Sequence, residues 1–170
     1  MANMSVDSLR NNLTNPQRGY LWEVIFPSIP GGGDSDALTI RAQSAAIPSR
    51  SVGEIKIPFK QSAGVKYAGK LSYTQTMALT FAEGEDKKVH TAIYAWKQKI
   101  VNDYSNVGDG DEAIKADFYL NLLSTKGEIT RTIKLVGAFP QEVGEISLDQ
   151  GEEDAIKYPV TFSFDRWEDA

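Results

Sequence analysis

At 170 residues, with 41% hydrophobic and 24% charged side chains, the chain has ordinary globular composition and the length of one domain, able to bury roughly 70% of its unfolded surface in a single core. It has no cysteine, which excludes a disulfide framework, a thiolate metal site and a thiol nucleophile. Eighteen basic residues stand against 23 acidic ones, a net charge of −5, the reverse of the Lys/Arg surplus that displaces counterions from nucleic-acid phosphates. Solubility alone accounts for that balance, and it also suits a surface that must tolerate DNA nearby without holding it.

Taken in chain order, residues 1–15 read as a polar N-terminal arm without the apolar run of a secretory signal. No stretch in the chain reaches the roughly 18 apolar residues of a membrane helix. The Asn12-Leu13-Thr14 sequon is read as incidental. Tyr20, Trp22, Val24 and Phe26 then alternate with Leu21, Glu23 and Ile25 and predict a strand closed by Pro27. Residues 28–36, with Pro30 and three consecutive glycines, predict a flexible surface loop, followed by a strand near 37–43.

Residues 52–69 read as a hairpin projecting from the body. Glu54-Ile55-Lys56-Ile57-Pro58-Phe59 alternates, Gln61 to Gly64 supplies a turn, and Val65-Lys66-Tyr67 leads back. A lone two-stranded hairpin is marginal in water. Ile55, Ile57, Phe59 and Tyr67 would be needlessly exposed unless a partner covered them, so these four are the candidate interface residues.

Period two returns at Met77, Leu79 and Phe81. It breaks over 85–102, where Val89, Ala92, Ile93, Trp96 and Ile100 recur at helical spacing. Glu85 and Asp86 are placed in the first turn to complement the helix dipole, with Lys97 and Lys99 near the last, and Trp96 is the expected anchor. Ile114, Ala116, Phe118, Leu120 and Leu122 form the longest apolar stripe, continued by Ile129, Ile133 and Leu135. The last third predicts a strand, a kink at Phe139-Pro140, a second strand over 143–149, an acidic turn, and one long strand from Ile156 to Glu168. The fold class expected is mainly β: an antiparallel β-sandwich or barrel with one amphipathic helix and a projecting hairpin.

The motifs that could carry chemistry each fall short. Gly64-Val65-Lys66-Tyr67-Ala68-Gly69-Lys70-Leu71 approximates a phosphate-binding loop, but Leu71 stands where Ser or Thr must ligate magnesium, and a strand follows where a helix should open. His90 is the only histidine and lies on the helix, without the carboxylate and nucleophile of a triad. Asp109-Gly110-Asp111-Glu112 lacks the later oxygen ligands of a calcium loop. Glu152-Glu153-Asp154 reads as an exposed turn, and no carboxylate pair stands out for glycoside chemistry. No catalytic, metal or cofactor-binding residue is predicted, and no small-molecule substrate.

The pattern Gly137-x-Phe139-Pro140-x-x-Val143-Gly144-Glu145-Ile146-x-Leu148-Asp149, followed by Val160-x-Phe162-x-Phe164-Asp165-x-Trp167-Glu168, resembles the tail tube proteins of contractile-tailed bacteriophages. The similarity extends to the strand at Tyr20–Phe26, the Ile47-Pro48 step, the Ile57-Pro58 hairpin and the helix bearing Trp96, and so covers about residues 16–169. The resemblance implies a subunit of hexameric rings that stack into a tube around a tape-measure protein, inside a contractile sheath. Baseplate and tail terminator proteins would bound the tube, and DNA would pass non-specifically through its lumen. The place implied is the virion tail, assembled in the bacterial host cytoplasm. The tube or tube initiator of a contractile injection system is the near alternative, and a monomeric β-sandwich binding module the distant one. The Gly31-Gly32-Gly33 loop and the acidic insert at Asp149–Asp154 depart from the family pattern as surface decorations that bear on sheath contacts.

Overall fold

Alternating strands need a second apolar face to cover theirs, and here they find it by folding one sheet over on itself. The computed structural model describes residues 6–13, 15–60, 62–151 and 153–170. Among these the chain runs α1 (Val6–Asn12), β1 (Trp22–Ile25), α2 (Ser35–Arg41), β2 (Ala42–Ala45), β3 (Arg50–Phe59), β4 (Ser62–Tyr73), β5 (Thr76–Ala82), α3 (Lys88–Ile100), α4 (Asp111–Ile114), β6 (Ala116–Leu123), β7 (Ile129–Val143), β8 (Lys157–Ser163) and β9 (Arg166–Asp169). Seven strands form one antiparallel sheet in the order β1-β6-β7-β8-β5-β2, with β9 added on β7, while β3 and β4 form a separate two-stranded sheet. Among the described residues β1 and β2 end the order without pairing with each other, so the sheet is a sandwich and not a closed barrel.

The fold turns on β7. Its first part, Ile133–Val136, pairs with β9, and its later part, Phe139–Val143, pairs with β8. Between them the register with β6 slips by one residue, and Gly137 sits at φ +68°, a bulge that lets the strand change partners. The Asp117 carboxylate accepts the Gly137 N–H at 3.0 Å and takes a second bond from Lys134. Burial raises the Asp117 pKa, but these two donors outweigh it and hold the carboxyl below its usual range. The bend expected at Phe139-Pro140 therefore lies at Gly137. Pro140 stays within the strand next to a second register shift, where its missing N–H is tolerated.

The core fills the fold between the two halves. Phe26, Phe81, Phe118 and Phe162 meet at its centre, with Phe26 and Phe118 ring centroids 4.8 Å apart and Phe118 and Phe162 5.4 Å apart. α3 packs against α2, α4 and β7. Trp96 is fully buried against Phe162 and donates its indole N–H to the Ile114 carbonyl at 2.6 Å.

Four local expectations are corrected. Of the strand expected near 37–43, residues 37–41 belong to α2 and only Ala42 and Gln43 open a strand, β2: Asp34 caps the helix by accepting the Ala37 N–H at 3.0 Å, and Ala37 and Leu38 are buried. The glycine loop before it is packed and not free, since Ile29 is buried and a Cβ on Gly31 would stand 2.8 Å from the Ala95 carbonyl oxygen. α3 begins at Lys88, so Glu85 and Asp86 precede it; Asp86 pairs with Arg41 at 2.6 Å, and the first-turn N–H groups of Val89 and His90, which have no partner within the helix, go to the Glu83 carboxylate. The strand expected over 143–149 ends at Val143, and the long C-terminal strand is two, broken at Phe164-Asp165. Of the N-terminal arm, residues 1–5 and Thr14 of the sequon lie outside the described residues, as do Gln61 of the hairpin turn and Glu152. Among the described residues no helix is long and apolar enough to cross a membrane.

Candidate assembly interface

Among the described residues of β3 and β4, only Tyr73 at the base packs against the core. All ten residues of β3 are exposed, and apart from the base the two strands pack only on each other. Register fixes which side chains share a face, because directly opposed residues of an antiparallel pair project together. Ile55 stands opposite Tyr67 and Ile57 opposite Val65, while Phe59 follows two residues on along β3. The four predicted residues thus fall on one face: Ile55, Ile57, Phe59 and Tyr67 are 55, 53, 63 and 56% exposed. Val65, 55% exposed, completes the set; the strict alternation of β4 with β3 is the signal that identifies it.

The reverse face is charged near the tip. Glu54 opposes Ala68 and Lys56 opposes Lys66, and Glu54 pairs diagonally with Lys66 at 2.8 Å. Both partners are well exposed, so the pair adds little to stability. Over residues 50–73 the arm carries five basic residues and one acidic one, a charge of +4; the remaining residues hold 13 basic and 22 acidic, a charge of −9. The arm is a basic, apolar projection from an acidic body.

Its base is fixed to the body. The Arg50 guanidinium lies 3.6 Å from the centroid of the Trp167 ring and donates to the Trp167 carbonyl at 2.9 Å. Gln75 donates to the Asp165 carbonyl at 2.8 Å, and only Thr74 and Gln75 separate β4 from β5. The arm therefore leaves a defined point on the sheet, where Thr76 of β5 pairs with Ser163 of β8.

The motifs read as chemically incomplete occupy ordinary structure. Gly64–Leu71 is extended within β4. His90 is exposed on α3, its Nδ1 3.0 Å from the Tyr158 hydroxyl and its ring stacked on Tyr94. Asp109 pairs with Lys99 at 3.0 Å ahead of α4, and Asp154 pairs with Lys157 at 2.7 Å.

The molecule is an antiparallel sandwich that carries an uncovered, two-faced strand pair. Residues 20–170 match the family described as phage tail tube protein, and the chain belongs to that structural family. It is 27% identical over 144 residues, 82% of this chain and 80% of its relative, to the tail tube protein of Serratia phage KSP90. In fold it is similar to a chain of the PVC extracellular contractile injection system's sheath/tube terminator in the extended state (TM-score 0.68, 21% identity, 93% of this chain and 99% of that one). A chain of the PVC sheath-tube complex in the extended state is likewise similar (TM-score 0.62, 20% identity, 98% of each chain).

Proposed function

We propose that this subunit forms hexameric rings that stack into the tube of a contractile tail, with β3–β4 as the arm that joins one ring to the next. The observation that carries the reading is the apolar face Ile55, Ile57, Phe59, Val65 and Tyr67, more than half exposed at every position on a hairpin with no cover of its own. Magnitudes favour a ring over a chain of single contacts. Burying the exposed half of five such side chains contributes about 1 kcal/mol each. The total of roughly 5 kcal/mol only matches the lower range of what association costs in lost freedom, about 4–15 kcal/mol. Six arms engaging at once make the second and later contacts intramolecular, which is how weak contacts hold a stack together.

The remaining parts of the proposal follow the same logic. Lateral pairing would cover the unpaired edges of β1 and β2, where open backbone groups invite another strand. The acidic body would let DNA slide through the lumen without being held. Sheath, tape-measure, baseplate and terminator proteins would be its partners in a virion tail assembled in the host cytoplasm; the sheath and terminator named for the similar solved structures support the first and last of these. Those same structures favour, as a second reading, the tube of a contractile injection system, which differs in its cargo.

Electron microscopy of the purified protein tests the proposal. Rings or tubes with a central channel are expected, and a persistent monomer at high concentration overturns it in favour of a solitary binding module. Deletion of residues 53–68 should give folded subunits that no longer stack; normal tube growth would remove the arm's role.

A further inference from the structure

We infer that the arm of one copy seats in a groove at the opposite end of the next copy's sandwich, between the start of α3 and the segment leading into β8. This inference rests on the reading of β3–β4 as the stacking arm and names the surface that receives it. The groove, about 680 Å³, is lined by Ile146, Leu148 and Ile156 over Tyr158, with Glu83, Glu85 and Asp154 outnumbering Lys87 among its charged residues and His90 beside them. Ile146, Leu148 and Ile156 are 39, 76 and 44% exposed, an apolar surface that nothing in the subunit covers.

Topology puts arm and groove at opposite ends of the same two strands. The arm joins the body where Thr76 pairs with Ser163, and the groove opens where Ala82 pairs with Lys157 and the Glu83 N–H reaches the Ile156 carbonyl. The length of β5 separates them by about 20 Å. A copy's own arm thus leaves the body away from its own groove. An arm that enters the groove of another copy makes a head-to-tail contact, the type that generates an open stack when repeated.

Charge and shape select the arm as occupant. The arm carries +4, whereas residues 144–156 carry five acidic residues and no basic one. Lys60 at the tip would approach Glu85 as the apolar face meets Ile146 and Leu148, while Lys56 and Lys66 stay on the arm's reverse face. The backbone is also suited to receive a strand: 145–149 alternates as a strand does, yet the ladder of β7 with β8 ends at Val143 opposite Val160.

The absence of native cysteine allows a direct test. A Phe59→Cys, Leu148→Cys double variant, assembled and then oxidised, should run as a ladder of covalent multimers on a non-reducing gel. A Phe59→Cys, Tyr104→Cys control, with Tyr104 more exposed than Leu148 but outside the groove, should stay monomeric. Assembled tubes without a ladder, or an equal ladder in the control, overturn the assignment. Ile146→Asp with Leu148→Asp should leave the melting curve unchanged and stop stacking at single rings. If the 53–68 deletion still stacks, the arm reading itself fails; if the deletion stops stacking while the Asp variant stacks normally, only the groove is wrong.

Discussion

β3–β4 and β5–β8 are both antiparallel pairs of alternating strands, and they end in opposite environments. In β5–β8 the pairing runs without a slip, and Met77, Leu79, Phe81, Tyr158, Val160 and Phe162 are all 5% exposed or less. In β3–β4 the equivalent side chains stay more than half exposed, and two register shifts interrupt the ladder. Alternation specifies a strand with one apolar face. It does not specify whether the cover for that face belongs to the same chain. The body resolves the question within one subunit, and the arm does not.

The contrast can be broken by mutation, and four measurements on the isolated subunit probe it. The largest loss should come from Trp96→Ala, which removes a fully buried ring and the donor to the Ile114 carbonyl; chemical denaturation should show about 3–5 kcal/mol. Gly137→Ala should come next at about 1–3 kcal/mol. An added Cβ there meets the Asp165 carboxylate and sits at positive φ, whereas Gly127→Ala shares the positive φ in open space and should cost only about 1 kcal/mol. Equal losses at the two glycines would show that Gly137 is not a pivot.

Acid should come third, and it acts on the body and not on the arm. Hydrogen bonds from Lys88 to Asp34 and from Arg41 to Asp86 hold both carboxyls below their usual pKa. Their contribution is present above about pH 4 and is lost as pH falls through the depressed values. Melting temperature followed against pH should show Asp86→Asn less stable than wild type at neutral pH, with the gap closing below about pH 4. A constant gap would assign the effect to something other than ionisation. The smallest effect is expected from Ile55→Ser, Ile57→Ser and Phe59→Ser together, within about 0.5 kcal/mol per site on unfolding of the subunit. A loss comparable to that of Trp96→Ala would mean the arm already packs on its own body.

Much of the sandwich was legible because its strands are two-faced and its helix is not. Met77, Leu79 and Phe81 read correctly from period two, and Val89, Ala92, Ile93 and Trp96 from the helical period. α2 is hard to see in the sequence because Ala37 and Leu38 are too short a run to declare a period, although Asp34, directly before Ser35, is a cap signal. The break between β8 and β9 was visible in principle: Phe164 and Trp167 are both apolar and three residues apart, a spacing that a single strand cannot place on one face. The apolar face of the arm could be read from Ile55, Ile57, Phe59 and Tyr67. The groove could not, since Glu85 and Leu148 are brought together only when β5 and β8 pair.

The two-residue link between β4 and β5 has a mechanical consequence. Tension on a seated arm enters β5 at its first residue, and β5 is hydrogen-bonded on both sides, to β8 and to β2. Load applied to the end of such a strand is shared among many ladder bonds at once instead of opening them singly. The Arg50–Trp167 contact gives the force a second path into β9 and so to β7. In the stacked tube proposed above, the arm would then behave as a tendon rooted in a strand paired on both sides, and the joints between rings would yield before the rings themselves.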